Sequence, residues 1–157
     1  MTMSDYIAVL ALVISVLSFA TSVYFGLLDR VRIKAVSKLY NMDPEFGPPF
    51  LEVKVVNRGR RVAILTTFGG KLDDGALIST HIGKDGQGIR LAENEYHVER
   101  LNRGELQQVD PSTGDVHEYE ELYFEDSLGR RHIVRHSRRD IARLKTTSNK
   151  ADAGDGK

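Results

Sequence analysis

Two hydrophobic periods divide this chain. Residues 6–28 carry no formal charge and consist of Ile, Val, Leu, Ala, Gly and Phe, interrupted only by Ser15, Ser18, Thr21, Ser22, Tyr6 and Tyr24. As a helix at about 1.5 Å per residue this run is about 35 Å long, enough to cross a bilayer. Its length exceeds the apolar core of a cleaved signal peptide, and the residues before it include no Lys or Arg, so it is read as an anchor. A helix apolar on every side could also be a core helix, but nothing later in the chain is apolar enough to wrap it.

After residue 29 the period becomes two. Val31, Ile33, Ala35 and Leu39 alternate with Arg32, Lys34 and Lys38, the pattern of a half-buried strand. Pro44, Gly47, Pro48 and Pro49 break it into a loop over 41–49. Leu51, Val53 and Val55 form the next alternating run, Asn57, Arg58 and Gly59 read as a turn, and 62–68 is β-branched and aromatic, so a hairpin is expected there. Further strands are expected at 76–82, 95–101 and 106–109, between Asp/Gly turns. Residues 117–124 and 131–136 make a second hairpin about a tight turn at Asp126 and Gly129. About seven or eight short strands at this spacing predict an all-β, antiparallel sandwich. Ser137 and Asp140 suggest a helix start, and Ile141 and Leu144 give a short C-terminal helix one apolar edge. The division is therefore an anchor at 1–28, a sandwich with its short helix at 29–146, and a polar, disordered tail at 147–157.

The order of apolar anchor, Asp29 to Arg32, a strand ending in Val56, Asn57, Arg58 and Gly59, a Leu101 to Glu105 turn, and Phe124 to Arg131 resembles small bacterial and phage single-pass membrane proteins of unknown function. The resemblance spans roughly residues 6–136 and implies an immunoglobulin-like cytoplasmic sandwich behind one N-terminal helix. Its motifs are turn chemistry, and they carry no catalytic residues.

Charge decides orientation rather than fold. Lys plus Arg and Asp plus Glu are both 22, so no global field steers the molecule. Locally, Arg30, Arg32, Lys34 and Lys38 follow the apolar run while no basic residue precedes it. The positive-inside bias then puts the N-terminus outside and residues 29–157 in the cytoplasm, at the inner membrane. Residues 110–126 hold seven acids and no Lys or Arg, whereas 130–145 hold seven basic residues against Asp140. If Asp126 paired with Gly129, Glu125 would face Arg130 and Glu120 would face Arg135. That leaves Arg138, Arg139, Arg143 and Lys145, which with Arg30, Arg32 and Lys34 are the candidate contacts for anionic lipid. No aromatic residues interleave with the C-terminal basics, which argues against nucleic acid.

Candidate chemistry is sparse. The chain has no cysteine, which removes disulfides, thiol nucleophiles and Cys-based zinc sites and fits a reducing compartment. His117 and Glu118 begin a zincin-like pattern, but Glu121 stands where the second histidine belongs. His132 and His136 would lie about 13 Å apart on a strand. Gly69, Gly70 and Lys71, like Gly83 and Lys84, lack phosphate-loop spacing and read as hairpin turns. Asp73, Asp74 and Asp85 could serve calcium, although standard turn chemistry accounts for them and dedicated ligand spacing is missing. No catalytic constellation stands out, so no enzyme activity, cofactor or metal is expected. Within the anchor, Ala8, Ala11, Ser15, Ser18 and Ser22 are spaced three, four, three and four, a small-residue stripe suited to self-association as a left-handed homo-oligomer. The expected function is a membrane-anchored interaction module presenting its sandwich to a protein partner. The alternative is a phage-type effector, for superinfection exclusion or holin-like lysis, acting through its helix.

Overall fold

The apolar run folds as one helix, α1 (Met3–Leu28), in a computed structural model that describes residues 2–28, 30–40 and 48–152. Thr2 and Asp5 cap it reciprocally: the Asp5 N–H donates to Thr2 Oγ1 at 3.4 Å, and the Thr2 N–H donates to Asp5 Oδ2 at 2.6 Å. Over Met3–Gly26 the helix is long and apolar enough to cross a membrane, and none of its most apolar window is buried inside the protein.

Nine strands follow among the described residues: β1 (Ile33–Tyr40), β2 (Phe50–Asn57), β3 (Ala63–Leu72), β4 (Leu77–His81), β5 (Ile89–Leu91), β6 (Tyr96–Leu101), β7 (Gln107–Val109), β8 (Val116–Asp126) and β9 (Arg131–Ile133). They make two antiparallel sheets. The smaller has the order β1-β2-β6, and the larger runs β4-β3-β8-β7, with β5 also paired to β3 and β9 to β8. Period-two burial puts Leu51, Val53 and Val55 of the small sheet and Leu65, Leu122 and Phe124 of the large one into a single core, so the arrangement is sandwich-like. The final helix, α2 (Ser137–Asp152), adds fully buried Ile141 and Leu144 to that core.

Several expectations are corrected. β2 and β3 form no hairpin: β2 pairs with β1 and β6, and β3 lies in the other sheet, so residues 58–62 cross between sheets. Gly69 and Gly70 are interior to β3 rather than in a turn. A β-carbon on Gly69 would strike the Ile78 carbonyl of β4, and one on Gly70 the Glu121 carbonyl of β8, so only glycine lets the three strands meet. Strand β5 has no counterpart among the expected strands, because three residues are too few for a period. In the β8–β9 hairpin Glu125 faces Arg131 rather than Arg130, and Asp126 closes on Arg130 about a three-residue turn with Gly129 at φ 73°. β9 ends at Ile133, and Arg135 instead bridges in parallel to Val36 of β1, so Glu120 and Arg135 are not opposed. Ser137 and Asp140 are engaged across the fold: Ser137 Oγ accepts the Leu122 N–H at 3.3 Å, and Ser37 Oγ donates to Asp140 Oδ2 at 2.8 Å. The helix continues through the expected tail as far as Asp152, while 153–157, like Asp29 and most of the proline-rich loop (41–47), lie outside the described residues.

Candidate functional site

The strand registers give the sandwich two ends. One holds the start of β1, the end of β2, the start of β3 and the end of β8, and the chain arrives there from α1. At this α1 end the Arg58 N–H donates to the Arg32 carbonyl at 2.6 Å, and Gly59 is buried against the Arg30 backbone. Asn57, fully buried, organises the crossing. Its Nδ2 donates to the Arg61 carbonyl at 2.7 Å and the Leu91 carbonyl at 3.0 Å, while its Oδ1 accepts the Gly59 N–H at 2.9 Å. Every polar atom of that buried amide group is used, as burial demands.

Beside it, an open cleft is lined by Arg30, Val31, Arg61, Val62, Ala63, Ile64, Asp126, Ser127, Leu128 and Arg130. Asp126 is buried at its edge and shapes the β8–β9 turn. Its Oδ1 accepts the N–H groups of Leu128 at 2.9 Å and Arg130 at 3.0 Å, and its Oδ2 lies 3.0 Å from His132 Nε2. Burial works to raise the pKa of this carboxyl, but the His132 bond and the two backbone donors outweigh it and hold it below the ordinary carboxylate value. The turn tip, Leu128, is 69% exposed.

Arg30, Arg32 and Lys34 are exposed, Arg30 within the cleft and Lys34 beside Lys54, Arg58 and Tyr96 on the outer face of the small sheet. The basic residues of α2 are elsewhere. Arg138 reaches Glu121 at 3.2 Å, Arg139 reaches Asp140 at 3.0 Å and Lys145 reaches Glu118 at 2.6 Å, so acids of the protein already offset them. Glu121 and Glu118 are five and eight residues along β8 from Asp126, which at about 3.3 Å per residue places them about 16 and 26 Å from the α1 end. Arg143 follows on the same helix, in the turn before Lys145. In their place the fold brings Arg58, Arg60, Arg61 and Arg130 to the α1 end. The basic run around Gly59 signals the first three, although turn chemistry alone also accounts for it, and Arg130 carries no such signal.

The opposite end carries a small cluster. Asp73 and Asp74, in the β3–β4 turn, meet His117 of β8, with His117 Nδ1 3.1 Å from Asp73 Oδ1 and 3.7 Å from Asp74 Oδ2. One ligand atom from each residue lies within 4.8 Å of the others, so the three could hold a divalent cation. The arrangement is also satisfied as a hydrogen-bonded staple. The Asp73 hydrogen bond raises the His117 pKa against the opposing effect of burial, and the charges of Asp74 and Asp73 add to it. Asp85 is not part of this group, since it follows β4 while Asp73 and Asp74 precede it.

On α1 the small-residue stripe is exposed, and its hydroxyls are partly committed: Ser15 Oγ donates to the Ala11 carbonyl at 2.8 Å, and Ser22 Oγ donates to the Ser18 carbonyl at 2.9 Å. Their protons are used within the helix, which leaves close backbone approach as the main contribution the stripe offers.

No protein-family model and no curated protein matches this chain. Among solved structures it is similar to the X-ray structure of Northeast Structural Genomics Consortium target SoR45, with 12% sequence identity over 69% of this chain and 83% of that one and a TM-score of 0.28, an overlap too loose to carry any argument.

Proposed function

We propose that this chain is a single-pass inner-membrane protein, N-terminus outside, whose cytoplasmic, immunoglobulin-like sandwich acts as a non-enzymatic docking module for a protein partner. The observation that carries the reading is α1 itself, apolar around its circumference and uncovered by the rest of the chain. So much apolar surface needs lipid or protein around it. The basic flank supports the orientation. The edge strands β4 and β6, with Leu77 50% and Tyr96 60% exposed, are the natural places for a partner to add to a sheet. Self-association through Ala8, Ala11, Ser15, Ser18 and Ser22 belongs to the same proposal.

The test is extraction and topology in intact cells. The chain should resist alkaline carbonate, and a cytoplasmic reporter fused after Lys157 should be active while a periplasmic one is silent. Release by carbonate would remove the anchor, and periplasmic activity would reverse the orientation. For the seam, Ser15→Leu with Ser18→Leu should abolish self-association in a membrane two-hybrid assay, and Val13→Leu with Val16→Leu should not.

A further inference from the structure

The arginines of the α1 end come from three separate stretches: Arg30 at the exit of α1, Arg58 and Arg60 in the crossing between sheets, and Arg130 in the β8–β9 turn. All four are exposed, and no ion pair engages them among the described residues. Asp29 precedes Arg30 in the chain and takes back one charge, but among the described residues the acids nearby do little to offset the other arginines. Asp126 is buried and holds its own turn, Glu95 accepts the Ala92 N–H at 2.7 Å, and Glu93 is exposed in the same β5–β6 turn.

Distance then selects the counter-charge. Arg30 is two residues beyond Leu28, the last residue of α1, a reach of at most about 7 Å. The headgroup layer of one leaflet is about 5–8 Å thick. A helix that spans the bilayer therefore delivers this end of the sandwich to the headgroups and leaves the far end, with Asp73, Asp74 and His117, outside them. Leu128 at the turn tip and Tyr96, 60% exposed at the start of β6, supply the apolar and aromatic side chains that favour an interface.

We propose that this end docks the sandwich onto anionic phospholipid headgroups, with Arg30, Arg58, Arg60 and Arg130 meeting the phosphates and Leu128 entering the boundary, so that the domain stands in one fixed orientation on the membrane. This rests on α1 spanning the bilayer. Each arginine near an anionic surface shifts the docking equilibrium by about fivefold.

The chain has no cysteine, so a single label reports one position. Full-length protein carrying Leu128→Cys with a polarity-sensitive fluorophore is reconstituted into phosphatidylcholine vesicles with and without phosphatidylglycerol, alongside a Pro111→Cys reference at the far end. Phosphatidylglycerol should shift the Leu128 probe to the blue and expose it to brominated-lipid quenching, leaving the reference unchanged. Arg58→Glu with Arg60→Glu and Arg130→Glu should weaken docking more than about 100-fold and return the probe to its phosphatidylcholine signal. A carbonate-resistant chain whose Leu128 probe ignores phosphatidylglycerol would overturn the docking and leave the span standing. A chain released by carbonate would overturn the span, and the docking with it.

Discussion

Gly59 and Arg30 are in backbone contact: a β-carbon built on Gly59 would collide with the Arg30 carbonyl oxygen and lie 2.6 Å from the Arg32 amide nitrogen. The exit segment of α1 is thus seated against the crossing between the sheets, where the Arg58 N–H also holds the Arg32 carbonyl. Gly59→Ala should destabilise the protein by about 1–3 kcal/mol, since neither neighbour is a flexible side-chain tip that can yield. Gly104, which has nothing within 4 Å of its own β-carbon position, is the control. Equal urea midpoints for Gly59→Ala and Gly104→Ala would show that the contact gives way freely.

Asp126→Asn should cost about 1–3 kcal/mol, because the two backbone N–H groups and His132 lose a charged partner and keep at best a neutral amide. The sign of the pH dependence follows from a folded pKa held below the ordinary 3.8. The stabilisation is present above 3.8 and is lost as pH falls through the lower folded value. Acid unfolding of wild type and Asp126→Asn should therefore converge at low pH; parallel curves would remove Asp126 from the account.

The register of β8 with the end of the chain predicts where charge coupling lies. A double-mutant cycle on Glu121 and Arg138, 3.2 Å apart and partly exposed, should return a coupling of about 0.2–1 kcal/mol. A cycle on Glu120 and Arg135 should return none, since β9 ends before Arg135 can oppose β8. The reverse result would mean that β9 is longer than it is here.

His117 should titrate above its ordinary 6.5 and Asp73 below its ordinary 3.8. For Asp73, burial pushes upward, but the His117 bond and backbone donors prevail. A raised histidine value stabilises fully below 6.5 and fades as pH rises through the folded value, whereas a lowered carboxylate value stabilises above 3.8 and fades below it. The staple between the β3–β4 turn and β8 is thus tightest between about 3.8 and 6.5, and the protection factors of the turn amides, exchange rates corrected for their intrinsic pH dependence, should fall above that window. Asp73→Asn should bring the His117 titration, followed by NMR, back toward 6.5, and no movement would deny the pairing.

What the sequence determined by itself is what composition and period can encode. An uncharged apolar run of this length, with neither proline nor a polar cluster to break it, reads as one continuous helix, so α1 is legible from residues 6–28 alone, and alternation at Leu51, Val53 and Val55 marks a half-buried strand whatever it pairs with. Ile141 and Leu144 likewise declared the buried edge of α2. Pairing is different, because turn chemistry at Asn57 and Gly59 satisfies a hairpin and a crossing between sheets equally well. The choice fell to the tertiary structure, where the Asn57 amide is buried among the Arg61 and Leu91 carbonyls and Gly59 must admit the Arg30 backbone. Gly69 and Gly70 read as a turn until Ile78 and Glu121 press against them. The arginine face was illegible for the same reason. Residue 30, the pair 58 and 60, and residue 130 are remote from one another in the chain and share one end of the sandwich only when β1, β2, β3 and β8 bring their ends to the same side of the core.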